Sequence, residues 1–469
     1  MAQTQQIKNE TVSDMLTWGA DDHSDHLDPA DVFAAGVRNH NIANTAYPIA
    51  HRRTIWRYRQ EADRHRALLT EAFAAAPTMG LYVHVPFCQA RCKFCEYCVV
   101  DRHTKEAETE YFKALFRELK AYDGVVHGKP LVGVDFGGGT PALVDPTQIG
   151  ALVRYIDDHF VRALGFSMSI ETTPKLAAAH PERMVAYRGF DIDRISMGIQ
   201  TVSPKLLERY GRDQGRLRHN RDAARNIRRA GFERFNIDLM YGFADQTVED
   251  FLPTLAHTLS LEPDYVTLYR MRYKGTRVKH EAADVQLHRV NDIYAAAHER
   301  LDAQGYRANY GKNGFSRIPG DPGTSAYLTG RVVDSVPYLG TGLGAQTFTN
   351  SLLAYNLGAA EKRLDGYLAA NAEGRLPIQD LYLLSPSEAM AKMISVAFYF
   401  GEVDLDAFEG RFGVDFTDRY RQQVAFVLDR ELMAFHGRRL RFTRKGAQHF
   451  GGVVALFYSG AVQEYLLEV

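Results

Sequence analysis

From Leu81 onward, short apolar runs alternate with longer stretches whose apolar residues recur at helical spacing. The runs at 81–85, 131–136, 166–171, 193–199, 233–239 and 264–269 read as strands. Residues 106–121, 146–163, 204–210, 218–230 and 247–260 read as the helices between them. Six strands alternating with helices predict right-handed βαβ units and a parallel sheet, as a partial barrel or an open sheet. Chemistry in such folds gathers at the carboxyl ends of the strands. Upstream, the first 45 or so residues are polar and acidic and read as a loosely docked arm, followed by an amphipathic helix over Arg52–Ala75. After about residue 280 the alternation fades into a helix at 287–304 and a Gly/Pro-rich loop or pair of short hairpins at 311–330. Residues 385–469 read as helices around a short β element, Arg438–Gly446, with a winged-helix-like look. The expected organisation is an N-terminal arm and helix (1–78), a partial barrel (79–280), a connector that closes it (281–384) and a C-terminal helical domain (385–469).

Composition narrows the setting. A chain of 469 residues with 45% hydrophobic and 24% charged residues is globular and longer than one small domain. Fifty-six Lys and Arg balance 57 Asp and Glu, so the net charge points to neither a nucleic-acid nor a membrane-surface partner. No basic segment precedes an apolar one at the start, and no run of about 18 apolar residues occurs anywhere, so neither a signal peptide nor a transmembrane helix is expected. All four cysteines lie between Cys88 and Cys98, which argues against a disulfide framework and for one thiolate site in a reduced, cytoplasmic protein.

Cys88-x3-Cys92-x2-Cys95 places three thiolates on a loop leaving the first strand. Thiolates are the usual ligands of iron–sulfur clusters. Three of them leave one iron of a [4Fe–4S] cluster open to a small molecule carrying an amine and a carboxylate, the pair that S-adenosylmethionine offers. Structural zinc would need Cys98 as a fourth ligand, but zinc sites usually join two separated ligand pairs. Cys98 can equally be an unligated thiol, a hydrogen-atom donor or a bystander. The run Tyr82-Val-His-Val-Pro-Phe-Cys88, followed by x3-Cys-x2-Cys, resembles the entry motif of the oxygen-independent coproporphyrinogen III oxidase branch of radical S-adenosylmethionine enzymes. The resemblance extends from about Tyr47 through the C-terminal domain. That branch also holds heme-trafficking proteins, anaerobic heme-degrading enzymes, and class C radical methyltransferases and cyclopropanases. It implies an α/β fold, a partial (β/α)6 TIM-like barrel, with a [4Fe–4S] cluster on Cys88, Cys92 and Cys95 that cleaves S-adenosylmethionine reductively.

Further motifs fall at strand ends. Gly137-Gly138-Gly139-Thr140-Pro141 closes the second strand, where glycines let the backbone approach a ligand and free amides can hold it. Gly138, Gly139 and Thr140 match the family's methionine-binding loop. By the same resemblance, Glu171 contacts the cofactor ribose or amino group, Gln200 its ribose, and Arg212 pairs with its carboxylate; Asp238, embedded in apolar neighbours, calls for a cofactor hydroxyl or a buried arginine as partner. Gln346, in a Gly-rich segment beginning at Tyr338, falls near the substrate and second-cofactor region. Tyr82, expected beside the cofactor, and Cys98 are the candidate catalytic side chains. One departure is Gly242-Phe-Ala-Asp-Gln-Thr247, where relatives commonly carry Gly-Leu-Pro-x-Gln-Thr.

These motifs say how a radical is made and little about its target. Relatives with the oxidase activity tend to carry Asn-Tyr-Ala-His after the sixth strand, whereas this chain has Leu268-Tyr-Arg-Met-Arg-Tyr-Lys274. Their cysteine motif tends to end in Cys-x-Cys, and here it ends in Cys95-x2-Cys98. These differences favour methyl or methylene transfer to a carbon of an aromatic or unsaturated small molecule, using a second S-adenosylmethionine. Oxidative decarboxylation of coproporphyrinogen III and heme handling or degradation are the alternatives. The long arm and complete C-terminal domain resemble the oxidase, and Arg270, Arg272 and Lys274 can grip propionates or be solvated charges. A flavodoxin or ferredoxin is the expected electron donor.

Overall fold

A computed structural model describes residues 27–39, 54–101, 103–212 and 217–468. The parallel strands follow the apolar runs. They are β1 (Met79–Val85), β4 (Pro130–Gly138), β5 (Val161–Thr172), β6 (Arg194–Gln200), β7 (Arg234–Tyr241) and β8 (Tyr265–Arg270); β2 (Phe87–Cys88) and β3 (Val100–Asp101) pair beside the cysteine loop. Later strands β9 (Gly314–Ser316), β10 (Tyr338–Thr341), β11 (Gln346–Phe348), β12 (Leu352–Asn356) and β13 (Ile378–Leu383) extend the sheet at both ends. Its order is β13-β12-β11-β10-β1-β4-β5-β6-β7-β8-β9, parallel from β10 to β8, with antiparallel strands outside. This is the parallel α/β sheet that the alternation predicts, in the partial-barrel class that the resemblance implies.

The period-2 pattern explains why the sheet curves around a cavity. Leu81, Val83 and Val85 of β1, Val134 and Phe136 of β4, and Ile195, Met197 and Ile199 of β6 are buried on one face, as surface covered by βα crossovers requires. The alternate positions are polar. Register sets Tyr82 beside Asp135, Asp135 beside Ser169 and Ser169 beside Arg194, so one row of polar side chains crosses the inner face. Such a face is stable only around water or a ligand.

Three expected elements differ. The helix Pro146–His159 stops short of residue 163, because Phe160 is extended and Val161 and Arg162 pair with Pro130 and Leu131. Among the described residues of 52–75 only His65–Ala74 is α-helical. The sheet edge claims the earlier part: Arg59 bridges Tyr382, its Nε lies 2.7 Å from Asp380, and Gln60 N–H donates to the Leu381 carbonyl at 2.8 Å. Residues 1–26 and 40–53 of the expected arm and helix start lie outside the described residues. Pro29–Arg38, inside the arm, is a helix: Asp28 caps it by accepting from Ala30 N–H at 2.8 Å, and Val32 and Ala35 are buried in the C-terminal core.

That core is separate from the barrel's. The strands β14 (Glu402–Asp404), β15 (Met433–His436) and β16 (Arg439–Phe442) form a small antiparallel sheet in the order β14-β16-β15, with helices packed on it. The Gly/Pro-rich stretch supplies β9 and the start of the helix Ala326–Val332, capped by Ser325 Oγ, which accepts from Leu328 N–H. Among the described residues no helix is long and apolar enough to cross a membrane.

Candidate active site

A cavity of about 840 Å³ runs from the cysteine loop through the polar inner face of the sheet to the C-terminal domain. Every candidate ligand, cofactor-binding and catalytic residue named from the sequence lines it, as do Arg270 and Arg272, whereas Lys274 does not. Cys88, Cys92 and Cys95 lie half-buried at one mouth, free of disulfides. Burial pushes the Cys88 thiol up to about 11 and raises that of Cys95, so both hold their protons at neutral pH, and binding to positively charged iron would release them.

The two sides of this mouth come from β4 and β6. Thr140 Oγ1 lies 3.7 Å from Cys88 Sγ, and Thr140 N–H donates to the Phe87 carbonyl at 2.8 Å, docking the Gly-rich loop under the cysteine loop. On the other side Arg212 Nη1 donates to Cys92 Sγ at 3.4 Å and Nη2 donates to the Gly198 carbonyl. Gln200 follows a bulge in β6 with a φ of 68°, a conformation that non-glycine residues adopt where neighbours impose it. Gln200 Oε1 and Arg212 Nε are buried without a partner. An unpartnered acceptor and donor beside three thiols fit a cluster carrying a ligand with an amine and a carboxylate.

The glycines of the loop also answer to a constraint that the motif does not reveal. At Gly138, with a φ of 112°, a Cβ would meet the His84 ring at 2.5 Å, and at Gly139 it would meet the Pro86 backbone at 2.6 Å. They are required by protein packing. His84 is itself a tie: Nε2 lies 2.7 Å from the Cys98 carbonyl and Nδ1 lies 3.3 Å from the Tyr82 hydroxyl. Burial lowers its pKa to about 4, so the ring is neutral, with Nε2–H donating to the carbonyl and Nδ1 accepting from Tyr82. Cys98 donates its thiol to the Gly358 carbonyl at 2.9 Å and is buried against Gly344, which fastens the cysteine loop to the segment after β10.

Further along the inner face of the sheet, Glu171, Asp238 and Asp135 line the cavity close enough for their charges to interact. Burial, then Asp238 and Asp135, raise Glu171 to about 8; burial also raises Asp135 to about 6 and lifts Asp238. Asp238 accepts from Ser196 Oγ at 2.8 Å and Asn236 Nδ2 at 2.7 Å, and Arg194 donates to Ser169 Oγ at 3.1 Å. Tyr82 stacks on Tyr327 with centroids 6.0 Å apart. Gln346 accepts from the Tyr338 hydroxyl deeper in the same lumen. Asp135, Arg194, Tyr327 and Arg331 were not singled out from the sequence. The polar alternation along β4, β5 and β6 carries a signal for the first two, whereas Tyr327 and Arg331 arrive from a stretch that reads as loop.

This fold and site resemble those of radical S-adenosylmethionine enzymes, a class that implies a [4Fe–4S] cluster and S-adenosylmethionine. Residues 82–257 match the radical SAM superfamily model and residues 384–449 the HemN C-terminal domain. In particular, the chain resembles HemN. The solved Escherichia coli coproporphyrinogen III oxidase (HemN) superposes with a TM-score of 0.70 at 22% identity, covering 84% of this chain and 93% of that one. The anaerobic coproporphyrinogen III oxidase 1 of Cereibacter sphaeroides is 26% identical over 373 residues, 74% of this chain and 78% of the relative. The heme chaperone HemW of Escherichia coli (strain K12) is 28% identical over 251 residues, 51% of this chain. The chain spans 64% of that chaperone's length.

Proposed function

We propose that the protein performs radical S-adenosylmethionine chemistry on a carboxylate-bearing tetrapyrrole, as an oxidative decarboxylation of the coproporphyrinogen III type. The observation that carries this reading is the continuity of one large cavity from the three thiols to an aromatic and cationic cleft against the C-terminal domain, room for a cofactor and a bulky anionic substrate together. Cys88, Cys92 and Cys95 would hold the cluster, Gln200 and Arg212 the amino-acid end of the cofactor beside Cys92, and Glu171 and Asp238 its hydroxyls. When bound, these cofactors supply the one-electron reductive cleavage. The protein's share is to orient the reacting groups and exclude water. Glu171 keeps its proton at neutral pH in the ligand-free cavity and can donate a hydrogen bond there.

Methyl or methylene transfer, favoured by the sequence, has less support than its alternatives, since the relatives above carry the names of coproporphyrinogen oxidases and heme chaperones. Heme handling is the second reading, on the likeness to HemW. An anaerobic incubation of reconstituted, reduced protein with methyl-labelled S-adenosylmethionine and coproporphyrinogen III separates the three. The expected products are 5′-deoxyadenosine and a substrate lighter by one or two carboxyl groups, with no S-adenosylhomocysteine and no turnover in Cys92→Ala. S-adenosylhomocysteine formed alongside 5′-deoxyadenosine would return methyl transfer to the front. Tight heme binding with neither product would favour heme handling. A small flavodoxin or ferredoxin remains the proposed electron donor.

A further inference from the structure

Eight Lys and Arg residues line the cavity, and seven of them are held by the protein. Arg91 donates to the Cys95 carbonyl, Arg194 to Ser169 and Arg212 to Gly198 and Cys92. Arg272 pairs with Glu96, Arg444 with Glu299 at 2.9 Å, Lys312 with the Pro322 carbonyl, and Arg331 with the Tyr327 hydroxyl at 3.4 Å. Arg270 is different. Its Nη2 is enclosed without a hydrogen-bond partner, and among the described residues no hydrogen bond or ion pair reaches the guanidinium. It ends β8 opposite Tyr241, its Cγ lies against Gly242, and burial pulls its pKa down. Tyr241, Met271, Val290 and Tyr294 form the apolar wall nearby. A desolvated charge without a partner costs stability and persists where something else is gained.

We propose that Arg270 is the anchor for a carboxylate of the substrate, held in a bidentate pair with the substrate's ring system against the aromatic wall. This deepens the tetrapyrrole reading and rests on it for the identity of the ring, but not for the carboxylate. The structure also sorts the basic run: Arg272 is committed to Glu96 and Lys274 is exposed, which leaves Arg270 as the side chain available to an anion. A carboxylate matches the planar fork in shape and supplies the missing acceptors.

The test compares the reconstituted parent protein with Arg270→Met, which keeps an unbranched side chain of similar length, and with Arg270→Lys. Three measurements are made anaerobically: thermal midpoint alone, thermal midpoint with millimolar 3-phenylpropionate, and fluorescence titration with coproporphyrin III or its tetramethyl ester. Arg270→Met should melt higher than the parent when free of ligand, because an uncompensated charge has gone. The parent alone should be stabilised by 3-phenylpropionate, and the variant should bind the porphyrin acid roughly tenfold more weakly with the ester unchanged. Arg270→Lys should keep the charge but recover only part of that affinity. A lower midpoint for Arg270→Met would make Arg270 structural and overturn the proposal, as would an equal or absent response of parent and variant to 3-phenylpropionate. If 3-phenylpropionate binds through Arg270 while neither porphyrin does, the carboxylate anchor stands and the tetrapyrrole reading falls.

Discussion

Gln200 shows how a single position can be read for function. A left-handed backbone on a residue with a long side chain costs about 1 kcal/mol or more, and here the side-chain oxygen it carries is buried without a partner. Both costs disappear if the residue is glycine, yet the position holds an amide beside Arg212 and the cysteine loop. Gln200→Gly should therefore leave the unliganded protein as stable as the parent, or more so, while weakening S-adenosylmethionine binding by about tenfold, the loss expected for a buried hydrogen bond. Equilibrium binding to the reconstituted protein, with a urea melt in parallel, checks both halves. Unchanged affinity would remove Gln200 from the cofactor site. A large loss of stability would mean that its amide holds the bulge instead.

At the scale of elements, the site depends on a helix that never reaches the cavity. Lys105–Val126 carries Glu118, fully buried, which accepts from Gly342 N–H at 2.8 Å, Asn356 Nδ2 at 2.6 Å and the Tyr367 hydroxyl at 2.5 Å. Two turns earlier Tyr111 donates to the His84 carbonyl at 2.5 Å and accepts from Leu343 N–H at 3.2 Å. The helix thus fixes the end of β1 and the Gly-rich segment after β10 together, and Cys98 against Gly344 passes that register to the cysteine loop. Burial raises Glu118 to about 7 from an ordinary 4.5. Because the folded value lies above the unfolded one, the stability linked to this proton is complete below about pH 4.5 and is lost as pH rises through about 7. Anaerobic urea denaturation of the parent should show stability falling between pH 5 and 8, with Asp135 and Glu171 adding slope of the same sign. Glu118→Gln should reduce that slope and lose about 1–3 kcal/mol at pH 5, where an amide N–H must face a donor. An identical slope in the variant would show that Glu118 does not titrate there. None of this network was legible in the sequence, since a glutamate in a charge-rich helical run looks solvated. The strands were legible because their outer faces are continuous in Leu, Val and Ile. The end of the helix before β5 was not, because extended pairing of Val161 and Arg162 with a neighbouring strand leaves no local signature.

For the molecule as a whole, the question is what closes the cavity on the side away from the cysteines. The C-terminal domain contributes Ala447, Gln448, Phe450 and Leu466, and the helix Pro29–Arg38 contributes Gly36, with Asn39 just beyond it. Sequence alone put these residues in an arm, because ten residues with a short apolar stripe carry little periodicity. Their burial comes from a partner more than 400 residues away in the chain: Asn39 Nδ2 donates to the Leu466 carbonyl at 3.4 Å. The contact is close because both surfaces use glycine. A Cβ at Gly36 would lie 2.5 Å from Ala455 Cβ and from the Gly451 carbonyl oxygen, and one at Gly452 would meet the Phe33 ring at 2.8 Å. Gly36 is helical with no positive φ, so alanine there has no backbone penalty and improves intrinsic helix propensity. Its only effect is steric, which makes Gly36→Ala a clean probe of docking. The helix should be pushed off the domain, speeding amide exchange over 29–38 and raising the KM for substrate, while the iron content and the absorbance of the reconstituted cluster match the parent. Faster exchange with an unchanged KM would show that this helix does not wall the substrate end. Unchanged exchange would mean that the domain yields to the extra methyl, and that the packing of the two glycines is not what holds the helix in place.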